Sequence, residues 1–155
     1  PSAEVMMTAM GQGKTQVSPY HMTMITAAIA NGGKLMKPYL VDQITNYAGT
    51  PVKKYMPEKY KDLMTSGEAA QLAEYMKDVV EYGTGTALAG QSYTVAGKTG
   101  TAEVSTDGQK VHSWFMGFSN VDNPELAVCV VVEDADTASI NGVSVAKQIF
   151  DAYYY

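Results

Sequence analysis

Arginine does not occur in this sequence: all 11 basic residues are lysines, set against 16 Asp and Glu for a net charge of -5. A chain that grips a phosphate backbone needs a basic face and commonly the forked donors of arginine, so nucleic acid is excluded as a partner. Cysteine is nearly missing as well. Cys129 is the only one, which rules out an internal disulfide, and its setting in "LAVCVVV" reads as a small buried apolar residue. Histidine is scarce: His21 and His112 each lack a second histidine or a carboxylate at ligand spacing. No metal site is therefore expected, and both are read as helix-face or strand-surface residues. No stretch reaches the roughly 18 apolar residues of a membrane-spanning helix, and no signal segment opens the chain.

What is present suffices for a core: 155 residues, 46% apolar, the size of one domain. Ser18 is a candidate N-cap with Pro19 at the first helical position, and Met22, Ile25 and Ile29 then share a face. That helix should stop at Asn31-Gly32-Gly33. Residues 35–55, rich in β-branched side chains and broken by Pro38 and "NYAGTP", predict short extended pieces with a turn at 46–50. Thr65 and Glu68 have capping-box spacing, and Leu72, Met76 and Val79 follow at helical intervals up to "YGTGTA".

From there the period changes to two. "SYTVAGKTGTAEVS" and "KVHSWFMGF" flank "TDGQ", whose Asp107-Gly108 pair favours a tight hairpin turn, so the two runs are read as antiparallel partners. Trp114 and Phe118 are expected as core or cleft-wall aromatics. "ELAVCVVVE" is apolar on successive residues, as in a strand covered on both faces. A last helix, capped by Asn141 or Ser144, is predicted to turn Val143, Ala146, Ile149, Phe150 and Tyr153 inward. The fold class is α/β of the α+β type, without internal repeats.

Gly-Lys-Thr occurs twice, in "GQGKT" at 11–15 and in "VAGKTGTAE" at 95–103. A phosphate loop needs a further glycine five positions before the Gly-Lys pair, so that backbone N–H groups can curl around the anion. Those positions are Thr8 and Ser92. Such a loop also joins a strand directly to a helix, whereas Lys98 lies within a strand pattern and "GQGKT" follows no clear strand. Nucleotide binding is set aside, and "GQG" is read as a tight turn before a helix.

"KTGTAE" at 98–103, in a strand hairpinned to "SWFMGF", resembles the third signature of the penicillin-binding proteins and serine β-lactamases. "GQGKTQVSP", "IANGGKLMKP" and "GTGTALAG" resemble, in order, the segments preceding that strand in the high-molecular-weight penicillin-binding transpeptidases. The resemblance implies a β-lactamase/transpeptidase-like fold, here partial: antiparallel strands packed by helices, a C-terminal helix among them. It also implies roles. Lys98 supplies positive potential, the Thr99 and Thr101 hydroxyls hold a substrate or β-lactam carboxylate, and Gly100 leaves room for a substrate backbone. The Thr101 N–H donates to the oxyanion, an interaction worth about 3 kcal/mol in acyl transfer. No metal or organic cofactor is implied.

That chemistry needs a serine three residues before a lysine and a Ser-x-Asn element, both upstream of the Lys-Thr-Gly strand. The sequence holds "SVAK", Ser144 to Lys147, and "SIN", Ser139 to Asn141, but both follow Lys98 and in reversed order, so they are read as chance matches. No nucleophile is expected here, and residues 1–155 are expected to be the C-terminal part of one transpeptidase domain, inactive alone. The parent is expected to be a bacterial class B-like D,D-transpeptidase on the extracytoplasmic face of the cytoplasmic membrane, anchored by an N-terminal segment. It would bind stem peptides ending in D-Ala-D-Ala and β-lactams, forming an acyl-serine intermediate. The alternatives are a D,D-carboxypeptidase, a serine β-lactamase, or a non-catalytic β-lactam sensor or cell-wall binding module. Without its family partner strand, "LAVCVVV" is expected to leave an apolar edge through which the chain self-associates.

Overall fold

The computed structural model describes residues 2–104, 110–135 and 140–155. Helix α1 (Ala3–Ala9) buries nothing and leads through an exposed stretch into α2 (Pro19–Ala30). Helix α2 starts as predicted: the Ser18 hydroxyl accepts from the His21 N–H at 3.2 Å, satisfying one of the free donors of the first turn. It ends at Asn31, followed by Gly32 and Gly33 at positive φ.

Short extended pieces follow, as expected. Strand β1 (Lys34–Met36) pairs antiparallel with β4 (Lys59–Asp62), and β2 (Gln43–Thr45) with β3 (Pro51–Lys54). The turn at 46–50 is closed by the Asn46 side chain, which accepts from the N–H groups of Ala48 and Thr50 at 3.0 and 2.9 Å. Strand β4 escaped the sequence reading because "KYKD" is exposed along its length and carries no apolar alternation.

Helix α3 (Ser66–Glu81) has the predicted capping box: Thr65 Oγ1 accepts from the Glu68 N–H, and the Glu68 carboxylate accepts from the Thr65 N–H at 2.8 Å. Its buried stripe corrects the expectation. Ala69, Met76 and Val80 are buried and Ala73 packs beside them, while Leu72 is exposed and Val79 half-buried. Alanines set the phase of the inward stripe, and Leu72 lies about 100° around the helix from Ala73.

Strands β5 (Val95–Glu103), β6 (Val111–Ser119) and β7 (Ala127–Val132) form one antiparallel sheet in that order. The predicted Asp107-Gly108 turn lies outside the described residues. On one face, Val95, Phe115, Val128 and Val130 pack against Ala146 and Phe150 of α4 (Gly142–Tyr154). On the other, Ala96 and Phe118 meet Ile29 of α2 and Met76 of α3. The sheet is thus sandwiched between α4 and the α2–α3 pair, which explains why β7 is apolar on successive residues. Two glycines make room for the central aromatic ring: a Cβ at Gly97 or Gly117 would lie 2.4 or 2.8 Å from the Phe115 Cζ.

Asn141 is the N-cap of α4, in a reciprocal box with Ser144. Val143, Ala146 and Phe150 turn inward as predicted, but Ile149 and Tyr153 are exposed. The inward line runs 143, 146, 150 and on to Tyr154, which stacks on Tyr93 with ring centroids 4.8 Å apart. Positions 149 and 153 sit one residue, about 100°, off that line.

Candidate active site

Burial along β5 ends at Lys98. Val95, Ala96 and Gly97 are buried, Thr99 and Gly100 are half-buried, and Lys98 and Thr101 are exposed. The strand therefore leaves the core where the Lys-Thr-Gly-Thr tetrad begins. Among the described residues β5 pairs only with β6, so its other edge presents backbone N–H and C=O groups outside any ladder. Alternation along the strand puts Lys98 and Gly100 on the face of Ala96, and Thr99 and Thr101 on the face of Val95. A ligand touching all four must lie along the free edge, where both faces are within reach.

Lys98 Nζ donates to the Thr99 carbonyl at 2.5 Å, and no carboxylate pairs with it among the described residues. Its charge stays available to an anion. The Thr99 hydroxyl is not isolated: Thr84 Oγ1, in the loop after α3, lies 2.5 Å from Thr99 Oγ1. Gly100 stands opposite Trp114 in the register, and a Cβ there would lie 3.2 Å from the Trp114 Cβ. The missing side chain thus serves the packing of Trp114 as well as access to the edge. Phe118 is core, 1% exposed, and Trp114 is half-buried on the same sheet face.

The remaining sequence candidates have other occupations. Ser144 Oγ is taken up by the α4 cap, donating to the Asn141 carbonyl at 2.9 Å. Lys147 Nζ pairs with Asp151 at 2.7 Å; Ser139 lies outside the described residues. Lys14 of "GQGKT" pairs with Glu4 at 2.8 Å, and Gly11 and Gly13 take positive φ in the connection between α1 and α2. His21 is exposed on α2, and His112 Nδ1 accepts from the Asp134 N–H at 3.2 Å. Cys129 is half-buried rather than buried, because its strand is at the sheet edge, and burial pushes its thiol up from the ordinary range. Among the described residues no group of three or more His, Cys, Asp or Glu is placed to hold a metal, and no helix is long and apolar enough to cross a membrane. An apolar groove of about 460 Å³ between Tyr20, Met24, Leu35, Pro38 and Tyr60 includes none of residues 98–101.

Thr84 was not among the residues picked from sequence. Its segment "GTGTALAG" was legible as a motif, but a contact between hydroxyls 15 positions apart leaves no local pattern.

A three-stranded antiparallel sheet between helices, with Lys-Thr-Gly-Thr on its open edge strand, places the chain in the β-lactamase/transpeptidase-like class of folds. Within that class the family is defined by the penicillin binding protein transpeptidase domain, whose model matches residues 2–155, and the chain belongs to that family. It is 34% identical to the peptidoglycan D,D-transpeptidase MrdA of Haemophilus influenzae over 92% of this chain and 24% of that protein. It is 33% identical to the peptidoglycan D,D-transpeptidase PbpA of Mycolicibacterium smegmatis over 96% of this chain and 30% of that protein. Among solved structures, the imipenem acyl-enzyme complex of penicillin-binding protein A from Mycobacterium tuberculosis superposes with a TM-score of 0.84. That match has 29% identity and covers 96% of this chain and 33% of that one. The chain spans about a quarter to a third of the length of these relatives.

Proposed function

We propose that residues 1–155 are the C-terminal part of a single penicillin-binding transpeptidase domain, and that the whole protein is a peptidoglycan D,D-transpeptidase. The reaction runs in two acyl transfers. A serine outside these residues attacks the carbonyl of a stem peptide's penultimate D-Ala; its proton passes to a neighbouring base and from there to the amide nitrogen as the C–N bond breaks, and terminal D-Ala leaves as the amine. An amine of a second stem peptide then attacks the acyl-serine carbonyl, giving up a proton that passes through the base to the serine oxygen as the ester bond breaks. A β-lactam carbonyl enters the first step in the same way. The protein works on the extracytoplasmic face of the cytoplasmic membrane, held there by an N-terminal anchor.

The residues of this chain supply one wall of that site. Lys98 provides positive potential, and the hydroxyls of Thr99 and Thr101 donate to the carboxylate of D-Ala or of a β-lactam. The Thr101 N–H donates to the oxyanion that forms as the serine adds, where charge grows and a fixed donor counts most. Gly100 leaves the strand edge clear. The observation that carries this reading is the placement of the tetrad at the point where β5 emerges from the core with one edge unpaired.

Labelled penicillin tests it. The whole protein is expected to form a stoichiometric serine-linked adduct by mass spectrometry, and the 155-residue chain alone none. A stable adduct on the isolated chain, or none on the whole protein, would overturn the assignment.

A further inference from the structure

We propose that Thr84 is a positioning residue for the carboxylate-binding hydroxyl of Thr99; this rests on the transpeptidase reading above and adds a residue to it. The two Oγ1 atoms lie 2.5 Å apart. Each hydroxyl has one proton to give and two lone pairs to receive with. A bridge between two hydroxyls uses one proton, leaving the other to be directed elsewhere. With Thr84 as donor, the Thr99 oxygen is already satisfied as an acceptor and its own proton points to a third group. That third group is the anion lying along the β5 edge.

The loop that holds Thr84 is built to be stiff. It leaves the end of α3 through Gly83 and Gly85, where an added Cβ would lie 2.9 and 3.1 Å from the Val79 carbonyl oxygen. The Gly85 N–H donates to that same oxygen at 2.9 Å. Three residues on, Leu88 is 1% exposed within the main core cluster. The Thr84 backbone is thus held between the C-terminus of α3 and a buried anchor although the residue itself is exposed, and Thr99 is half-buried in the β5–β6 ladder opposite Phe115. A bridge between two residues whose backbones are both held sets the rotamer of the Thr99 hydroxyl, and a preset donor costs no reorganisation when the ligand arrives.

The effect should depend on the ligand's charge. A donor aligned to a carboxylate contributes more than one aligned to a neutral group. The test is the acylation rate constant of the whole protein with a penicillin and with its carboxyl methyl ester. Thr84→Val, which keeps the shape and removes the hydroxyl, is expected to slow acylation by the free acid by about tenfold, because the Thr99 donor is no longer held in line with the carboxylate. It should slow acylation by the ester much less. Thr84→Ser should restore the free-acid rate.

Equal slowing with acid and ester in Thr84→Val, or no rescue by serine, would reduce Thr84 to a packing role and overturn the proposal. An unchanged free-acid rate would do the same. Failure of the unsubstituted protein to acylate with either ligand would instead remove the transpeptidase reading itself, so the two failures are distinguishable. Unfolding of Thr84→Val is recognised separately, by loss of its folded circular dichroism; Thr84→Ala then takes its place, with selective slowing of the free acid expected and equal slowing of acid and ester overturning the proposal.

Discussion

Lys98, proposed above to bring positive potential to the site, contributes little to the fold that presents it. It is exposed, and among the described residues its ammonium is hydrogen-bonded to the carbonyl of its neighbour Thr99. Replacing it with glutamine should leave thermal stability within about 0.5 kcal/mol, the usual range for exposed positions. The same change should cost the whole protein about a hundredfold in penicillin acylation, as removal of a preorganised electrostatic partner does. Calorimetry and stopped-flow acylation on one preparation separate the two quantities; a large stability loss would mean Lys98 is structural. Residues 98–101 were readable because a short motif of fixed spacing is a local property. The hydroxyl partner of Thr99 was not, since only folding brings Thr84 to it.

Helix α4 carries the clearest pH-dependent element. Asp151 accepts from Lys147 at 2.7 Å and from the Tyr93 hydroxyl at 2.6 Å, and these hydrogen bonds hold its carboxyl below the usual carboxylate range. Burial, followed by the bond to Asp151, pushes the Tyr93 hydroxyl up. A carboxylate depressed by folding stabilises the folded state at every pH above its unfolded value of about 3.9. That contribution is lost as pH falls through this value toward the lower folded one. Glu68 at the start of α3, held low by the Thr65 N–H and hydroxyl, acts in the same direction. Urea midpoints measured from pH 7 downward should therefore fall below about pH 4, and Asp151→Asn should flatten part of that fall. A midpoint profile identical in the asparagine variant would disprove the role of Asp151.

The α3 cap was legible in sequence, since a capping box is written in four consecutive residues, whereas for α4 the sequence left Asn141 and Ser144 as alternatives and the structure makes Asn141 the cap. The inward faces were legible less well. Leu72, Ile149 and Tyr153 are apolar yet exposed, while Ala69 and Ala73 hold the buried line on α3. Close approach of a helix to a sheet favours small residues, and a pattern search weighted by size assigns the wrong side chain to the core.

At the scale of the whole molecule, the sheet formed by the described residues is open at both ends. Among the described residues β7 pairs only with β6, although Val128 and Val130 are buried against α4 and the strand carries no charge. An uncharged six-residue edge is a template for another strand. The isolated chain should therefore associate as its concentration rises, seen in light scattering, and Val131→Lys should reduce the effect by placing a charge beside the edge while its apolar stem stays packed. A monodisperse monomer at high concentration would count against this.

The sequence by itself determined what is local: where α2 and α3 begin, that "KTGT" lies in a strand, and that nothing ahead of that strand supplies a Ser-x-x-Lys. Those features depend on spacings of a few residues, and neighbours in sequence enforce them whatever the rest of the chain does. The tertiary structure alone decided which apolar side chains face inward and which hydroxyl meets Thr99. It also set how far along β5 the core extends before Lys98 emerges. Each of these depends on the distance between elements remote in sequence, and that distance is fixed only when α2, α3 and α4 close on the two faces of the sheet.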